Sequence, residues 1–342
     1  MEINISLQSV YNDLTERTFY RDSTTTLLPG GSFHIKKLHN KEYIYHSVTF
    51  GGRQRQTYIG PHTAELMAKI KENNDMEMVN TYCRDTTRMF ISHGYKGPPK
   101  IMGNVLEELA LAGFFRMRGV LVGTLAFQCY APMLGAYVKK TNLTTTADVD
   151  IAQFHSISVA VNDCLDPTFK EVLNRTGNFE KVPPLSSKEN AVKWFDKHSH
   201  CYIDVLTPMV GKNQKNIYLP SIGEYACGLR YLDFLIYNEI KAVVLHHNGI
   251  NVNIPDPARF AVHKIIISTL RDNPVKRMKD IAQADFLCKI LYFHDKKHLQ
   301  EIFEEACNRG PKWRKHLKEG IENMDDQIRS KLSEWFLSII PK

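Results

Sequence analysis

The 342-residue chain lacks a hydrophobic run long enough to cross a membrane. No stretch approaches the roughly 18 consecutive apolar residues of a spanning helix. The N-terminal sequence MEINISLQSV is too polar and acidic for a signal peptide. We therefore expect a cytoplasmic protein without membrane contact, although export by a route that needs no N-terminal signal would leave no trace in such a pattern.

Cysteines and histidines at metal-ligand spacing are also missing. The seven cysteines are scattered, odd in number and never in a Cys-x-x-Cys, which indicates reduced thiols and no zinc site. The fourteen histidines are dispersed, and the pair His246-His247 has no carboxylate or cysteine partner at ligand spacing, so we interpret it as strand-end histidines. Walker A, kinase and Gly-x-Ser-x-Gly motifs are absent, which argues against P-loop and hydrolase chemistry.

The composition is that of an ordinary soluble globular protein. Hydrophobic residues make up 43% and charged residues 24% of the chain, and this balance carries no signature of disorder. The length allows two or three domains, or one large core with appendages. A formal net charge of +7 permits a nucleic-acid partner but does not require one.

One stretch combines a buried strand, a helix start and two carboxylates. Val120–Val122 is an apolar run, and Gly123-Thr124 begin a helix-like pattern. A helix N-terminus offers free backbone N–H groups and a positive dipole end, which suit a phosphate. Asp148 and Asp150 follow in an extended context, so both side chains point to one face. A divalent cation usually compensates such a pair, which predicts metal-assisted phosphoryl or nucleotidyl transfer; the alternative is a solvated strand end.

These motifs resemble the nucleotidyltransferase core of the DNA polymerase β superfamily, where an apolar strand, a Gly-Ser or Gly-Gly pair, a helix and an Asp-x-Asp follow one another. The narrower similarity is to bacterial nucleotidyltransferase-fold proteins with Gly-Thr-x-Ala-Phe and a long loop before the acids. The matching segments are GTLAF (123–127), TADVDIA (146–152), GGRQRQTYIGP (51–61), IDVLTP (203–208) and PDPARFAVHK (255–264). Thr124 stands where the broad superfamily prefers Ser or Gly, and the loop before Asp148 is longer than usual.

The resemblance implies a third acid on a strand beside the Asp-x-Asp. Residues 200–206, HCYIDVL, alternate and are rich in β-forming residues, so they predict a strand that presents Asp204. Asp204 is the best match to the third carboxylate of the superfamily. The alternative is a capping or turn aspartate ahead of Thr207-Pro208.

The resemblance also implies a role for each candidate residue. Asp148 and Asp150 would bridge two Mg²⁺ (or Mn²⁺) ions, and Asp204 would complete the second metal's shell and help to remove a proton from the attacking hydroxyl. Gly123 and Thr124 would hold the β- and γ-phosphates of an NTP. Lys264 would offer a cation to the triphosphate; its alternative is a solvated lysine on an amphipathic helix.

We predict an α/β (α+β) fold with a polymerase-β-type nucleotidyltransferase core around a small mixed sheet. An N-terminal helix and basic β-meander would occupy residues 1–61, the core 62–255 and a helical domain 256–342. Within the core, Ile157–Val161 is predicted as a strand and Glu189–Lys197 as a helix.

The β-meander is the candidate nucleic-acid surface. Three short strands are predicted at Ser32–Leu38, Tyr43–Thr49 and Gln56–Ile59. Basic residues interleaved with aromatic residues on a small sheet suit a phosphate backbone and stacked bases. The basic candidates are Lys36, Lys37, Arg53 and Arg55. The alternative is a solvated β-appendage that packs its aromatic residues onto the main domain.

The function predicted from these observations is metal-dependent transfer of a nucleoside monophosphate from an NTP, such as ATP, to a hydroxyl with release of pyrophosphate. Two acceptors stay open: an RNA 3′ end, such as that of tRNA, or a protein side chain modified by a toxin-like or secreted enzyme. The alternative from another class is a non-catalytic nucleic-acid-binding or toxin–antitoxin partner protein that keeps the fold. The oligomeric state is not predicted.

Overall fold

A computed structural model describes residues 3–23, 32–38, 41–50, 53–139, 141–184, 190–211 and 216–339. Within these ranges the chain has helices, a seven-stranded mixed sheet, a three-stranded sheet and a two-stranded sheet. This arrangement confirms the predicted α+β class. None of the helices in the same ranges is long and apolar enough to span a membrane.

The N-terminal part consists of one helix and the predicted β-meander. Helix α1 (Ile5–Ser23) precedes three antiparallel strands, which are β1 (Ser32–Leu38), β2 (Lys41–Phe50) and β3 (Arg53–Pro61). Along β1 only Phe33 is half-buried, and the polar residues are all exposed, namely Ser32, His34, Lys36 and Lys37. The pairing of the three strands confirms the predicted meander, with longer second and third strands than the sequence predicted.

Two helices connect the meander to the mixed sheet. Helix α2 (Ala64–Ser92) is capped by Thr63, whose hydroxyl accepts a hydrogen bond from the Leu66 N–H at 3.2 Å. Helix α3 (Lys100–Leu111) buries residues at helical spacing against the core, and these are Met102, Val105, Leu106 and Leu109. It leads directly to the strand that precedes Gly123.

The mixed sheet carries the acidic residues at its centre. The elements of this region in chain order are β4 (Val120–Val122), α4 (Gly123–Met133), β5 (Asp148–Ala152), α5 (His155–Ala160), α6 (Phe169–Thr176), β6 (Phe179–Lys181), β7 (Lys193–Asp196), β8 (Cys201–Pro208), β9 (Asn216–Leu219) and β10 (Glu224–Leu229). The strand order is β4-β5-β8-β10-β9, and β7 pairs with β6 and with part of β8 on the side away from β5. Strands β5, β8 and β10 are parallel, and the other pairings are antiparallel.

The remaining chain forms a hairpin and a group of helices. After the short helix α7 (Leu232–Leu235), strands β11 (Glu239–Val244) and β12 (Ile250–Pro255) pair only with each other among the described strands. The Asp256 side chain caps the next helix by accepting from the N–H groups of Ala258 and Arg259 at 2.9 and 3.1 Å. The helices that follow are α8 (Pro257–Ser268), α9 (Pro274–His294), α10 (Lys296–Asn308), α11 (Pro311–Glu322) and α12 (Asp326–Ile339).

Two local predictions in the core are wrong. The predicted strand Ile157–Val161 belongs mostly to helix α5, and its apolar Val159 is 59% exposed rather than buried. The predicted helix Glu189–Lys197 instead contains strand β7, because Phe195 stacks on Tyr202 of β8 with ring centroids 4.3 Å apart. The division into domains at residues 61 and 255 stays a prediction.

Candidate active site

The turn between β4 and α4 requires a glycine. Gly123 has a φ of +67°, and a Cβ atom on it would lie 2.1 Å from Oδ2 of Asp150. Any side chain would therefore collide with the carboxylate and strain the backbone. Val122 offers no side-chain cap to the first turn of α4, so the N–H groups at this helix end keep the capacity to bind a phosphate.

Sheet pairing brings the three predicted acids to one part of the sheet. Asp150 is the direct partner of Val122 on one side and of Asp204 on the other. Asp148 lies two residues before Asp150 on the same strand, so its side chain points to the same face. The alternating residues Val149 and Ile151 are buried on the opposite face. The local pattern thus forces the carboxylates together while the apolar residues hold the strand in the core.

The electrostatics of the acids show how closely they interact. Burial, and then the charges of Asp204 and Asp148, raise the pKa of Asp150 to about 7. Burial also raises the pKa of Asp204, although the ion pair with Lys193 opposes this shift. Carboxylates crowded in this way favour either a proton or a cation between them. The oxygen-only donor set is the one that Mg²⁺ and Mn²⁺ prefer.

Lys193 is a site residue that the sequence prediction missed. It lies on β7 directly opposite Asp204 of β8, and its Nζ is 3.0 Å from Oδ2 of that carboxylate. Burial would lower the pKa of Lys193, but Asp204 and the other two acids raise it above its ordinary value. The aromatic β-formers Trp194 and Phe195, followed by a polar turn, were the signal that could have identified this strand.

Thr124 contacts a lysine from the helical part of the chain. The Lys279 ammonium on α9 donates to Oγ1 of Thr124 at 2.8 Å and to the carbonyl of Thr145 at 2.7 Å. Burial, and then the nearby Lys264 charge, lower the pKa of Lys279. A cation therefore lies at the N-terminal turn of α4, where the sequence predicted the β- and γ-phosphates.

Lys264 lies in the same region but is bound to an acid. Its Nζ donates to Oδ1 of the buried Asp280 at 2.5 Å, and Arg271 donates to the other carboxylate oxygen at 2.9 Å. Burial, and then the Lys264 charge, lower the pKa of the neighbouring His263 to about 3, so this imidazole is neutral at physiological pH. Within the described part of the chain, the buried Nδ1 of His263 has no hydrogen-bond partner.

One cavity of about 930 Å³ is lined by the three aspartates together with Lys193, Lys264 and Lys279. It lies between the acid-bearing face of the mixed sheet and helices α8 and α9. Its lining includes all six predicted core site residues, which are Gly123, Thr124, Asp148, Asp150, Asp204 and Lys264. Six cationic side chains against four acidic ones make the cavity suitable for a polyanion; the cations are Arg230, Lys193, Lys264, Arg271, Lys276 and Lys279.

Of the predicted nucleic-acid residues, Lys36 and Lys37 do not line this cavity. Lys36 and Lys37 are exposed on β1, and the Lys36 ammonium lies 4.8 Å from the centre of the Tyr45 ring and donates to Gln56. Arg53 and Arg55 belong to β3, but their side chains lie outside the described part of the structure.

Comparison with known families decides the class of protein. A family model described as nucleotidyltransferase matches residues 100–308, which is more than half of the 342 residues. The chain belongs to this nucleotidyltransferase family. No curated protein and no solved structure matches the chain.

The matched region of this nucleotidyltransferase runs from the start of α3 to the end of α10. It contains every residue that lines the 930 Å³ cavity, from Val122 to Asp280. The β-meander with Lys36 and Lys37 lies outside the match. The family therefore supports a general nucleotidyl-transfer function and leaves the acceptor open.

Proposed function

We propose that this nucleotidyltransferase moves a nucleoside monophosphate from an NTP to a hydroxyl acceptor, with release of pyrophosphate and with Mg²⁺ or Mn²⁺ as the cofactor. The observation that carries the proposal is the sheet register, in which Asp150 pairs with both Val122 before the Gly123 turn and Asp204. This register brings a phosphate-binding helix end and the acids to one cavity. The order of strand, Gly-Thr, helix and Asp-x-Asp supports a place in the polymerase β superfamily.

The residues present fit a divalent cation. Gly123 leaves open the space beside Oδ2 of Asp150 that a Cβ would fill, and the pKa of Asp150 is raised first by burial and then by the other carboxylates. Asp148, Asp150 and Asp204 would hold the metal through oxygen atoms alone. When bound, the metal would supply Lewis-acid stabilisation of the charge that develops on the phosphates.

The chain's own groups would bind and orient the substrates. The N-terminal N–H groups of α4 and the Lys279 ammonium beside Thr124 would hold the β- and γ-phosphates. The acceptor oxygen forms a bond to the α-phosphorus while the bond from that phosphorus to the β-bridging oxygen breaks. Asp204 would accept the proton of the acceptor hydroxyl, and pyrophosphate leaves with the electron pair of the broken bond.

Lys264 has a different place in this proposal from the one that the resemblance implied. Its ammonium is held by Asp280, which also lines the cavity, whereas Lys279 reaches the Thr124 hydroxyl directly. We therefore propose Lys279 as the main cationic contact of the triphosphate. Lys264 would set the local positive potential and hold the Asp280 carboxylate between itself and Arg271.

The acceptor can be of two kinds. The exposed Lys36 and Lys37 on the β-meander support an RNA acceptor, such as a tRNA 3′ end. A protein hydroxyl would instead make the enzyme a modifying toxin or effector. The same lysines favour the second candidate function, a non-catalytic protein that binds nucleic acid or acts as a toxin–antitoxin partner.

The direct test offers the protein each of the four α-³²P-labelled NTPs with Mg²⁺ or Mn²⁺ and a cell lysate separated into RNA and protein. We expect label in one fraction and none with the Asp148→Asn/Asp150→Asn variant. The matched control is Asp75→Asn/Asp326→Asn, which changes two exposed aspartates that do not line the cavity and should label like the wild type. Absence of label from every nucleotide with folded protein would refute the transferase and favour the binding function.

A further inference from the structure

A second cluster of ligating side chains lies outside the nucleotidyl-transfer cavity. Glu107 lies on α3, and the pair His246-His247 lies in the turn between β11 and β12. Glu107 and His247 are 140 residues apart in sequence but in contact in the fold. Each contributes one nitrogen or carboxylate oxygen, and these three atoms lie within 4.8 Å of one another. None of the three residues lines the cavity.

The two histidines are held side by side by the backbone. Neighbouring side chains on a strand point to opposite faces, but His247 has a φ of +46°, which turns its ring toward His246. The ring centroids are 3.8 Å apart. A non-glycine residue in this left-handed region costs conformational energy, so the turn is a defined arrangement rather than a relaxed strand end.

Neighbouring elements hold this turn in place. The Arg21 guanidinium of α1 donates to the carbonyls of Asn248 and Gly249 at 2.8 and 2.9 Å. On α3, a Cβ at Gly103 would lie 2.3 Å from Nδ1 of His246, so the imidazole can approach the helix only because that residue is glycine. The packing therefore places the His246 ring directly against the helix that carries Glu107.

The polar contacts match those of a metal-ligating set. Oε2 of Glu107 is 2.8 Å from Nδ1 of His247, and Oδ1 of Asn104 is 3.0 Å from Nε2 of His246. Asn104 and Glu107 are three residues apart on α3 and share one face. A side-chain oxygen bound to the second ring nitrogen of a histidine is the usual way in which a metal-ligating imidazole is oriented.

We propose that Glu107, His246 and His247 bind a transition-metal dication such as Zn²⁺. Two imidazole nitrogens and one carboxylate oxygen are a common zinc set, with water in the fourth position. Ligand atoms around a tetrahedral Zn²⁺ lie roughly 3.3–3.5 Å apart at bond lengths of ~2.0–2.1 Å, so small side-chain rotations would close the cluster. Mg²⁺ prefers oxygen ligands alone, so this site and the three aspartates would select different ions.

The site would connect three parts of the fold. It joins α3 to the β11–β12 hairpin at the turn that α1 holds through Arg21. A metal ion that binds the folded protein and not the unfolded chain would raise the melting temperature. The sequence prediction of no zinc site depended on ligand spacing along the chain, and the carboxylate that completes this set is remote in sequence.

The test measures Co²⁺ and Zn²⁺ binding to chelator-treated protein in an Asp148→Asn/Asp150→Asn background, which removes the acids of the cavity. We expect one equivalent of Co²⁺ with the intense visible absorption of a tetrahedral site, displaced by Zn²⁺ and not by Mg²⁺. Adding Glu107→Gln/His247→Gln, two partly exposed positions, should weaken binding by about 100-fold or more, because two of three protein ligands are lost.

The control pair is Glu72→Gln/His294→Gln in the same background, since both residues are exposed and outside the cluster. This variant should keep the absorption and the Zn²⁺-dependent rise in melting temperature, both of which the Glu107→Gln/His247→Gln protein should lose. Equal affinity in the two double variants would overturn the proposal and leave only the Glu107–His247 ion pair. Weak, non-saturating binding to the background protein would overturn it as well.

Discussion

Gly123 places the most severe steric limit on the active site. Its positive φ costs any other residue about 1–2 kcal/mol, and the space for a Cβ is taken by Oδ2 of Asp150 at 2.1 Å. We expect Gly123→Ala to lower nucleotidyl transfer by about 100-fold or more, since a displacement of about 1 Å in an acid at the reacting centre has effects of that size. Steady-state rates with labelled NTP measure the loss.

Gly223 is the matched control for this substitution. It has a similar φ of +77°, but a Cβ on it meets no atom within 4 Å. Gly223→Ala should therefore lose only the ~1–2 kcal/mol of backbone strain and keep its activity. Equal activity losses in the two variants would show that backbone strain, rather than contact with Asp150, explains the effect at Gly123.

Asp150 is expected to lower the stability of the metal-free protein at neutral pH. Burial and the neighbouring acids raise its pKa to about 7. The contribution of the protonated carboxyl to the free energy of unfolding is therefore fully present below pH ~4 and is lost as the pH rises through 7. We expect Asp150→Asn to raise the free energy of unfolding at pH 8 by about 1–3 kcal/mol, since one pKa unit corresponds to about 1.4 kcal/mol.

Chemical denaturation of chelator-treated protein at several pH values measures this difference. The stabilisation by Asp150→Asn should shrink as the pH falls and vanish near pH 4, where the wild-type carboxyl is protonated. Asp75→Asn, at an exposed position, should show no such pH-dependent gain. A variant less stable than the wild type at pH 8 would contradict the cost of burial and charge repulsion inferred for Asp150.

At the scale of elements, strong local patterns predicted the centre of the fold. The apolar run 120–122, the glycine that follows and the alternation around Asp148 and Asp204 each match a single structure, and all are present. The helical C-terminal region was also predictable from its apolar spacing and from the Asp256-Pro257 start.

The misassigned elements depend on contacts that are remote in sequence. β7 exists because Trp194 and Phe195 pair with Ile203 and Tyr202, and the α5 segment contains β-branched residues that local propensity assigns to a strand. The proposed metal-binding cluster shows the same limit, because Glu107 is about 140 residues from its histidines. Local pattern thus identified the acids but could not identify their cationic partner Lys193.

Strand β7 adds a competing cation to the proposed metal site. The Lys193 ammonium lies 3.0 Å from Asp204, so a divalent ion must displace it to bind that carboxylate fully. We expect Lys193→Met to lower the half-saturating Mg²⁺ concentration for nucleotidyl transfer by about threefold to tenfold, equivalent to the ~1 kcal/mol of a partly exposed ion pair. Activity measured against Mg²⁺ concentration gives this value.

Lys197→Met is the control for this element, since Lys197 follows β7 and pairs with Glu180 at the surface. Its Mg²⁺ dependence should equal that of the wild type. A higher Mg²⁺ requirement in Lys193→Met would mean that the lysine orients Asp204 for the metal rather than competing with it. The direction of the change therefore separates the two roles of Lys193.

At the scale of the whole molecule, the proposed sites for nucleotide and for acceptor belong to different parts of the chain. The cavity is formed by the mixed sheet with α8 and α9, whereas Lys36 and Lys37 lie on the separate three-stranded sheet. This separation allows nucleotide chemistry and acceptor binding to be changed independently by mutation. It also means that the family match, which begins at residue 100, carries no information on the acceptor.

If the acceptor is RNA, the β-meander lysines should contribute to affinity without affecting NTP binding. We expect Lys36→Ala/Lys37→Ala to weaken RNA binding and to reduce the slope of log affinity against log salt by about 1.4, since each phosphate contact on a single strand contributes about 0.7. Lys69→Ala/Lys71→Ala, two exposed lysines on α2, is the matched control. An unchanged slope in the meander variant, with RNA still bound, would place the RNA elsewhere; no RNA affinity in the wild type would favour a protein hydroxyl as the acceptor.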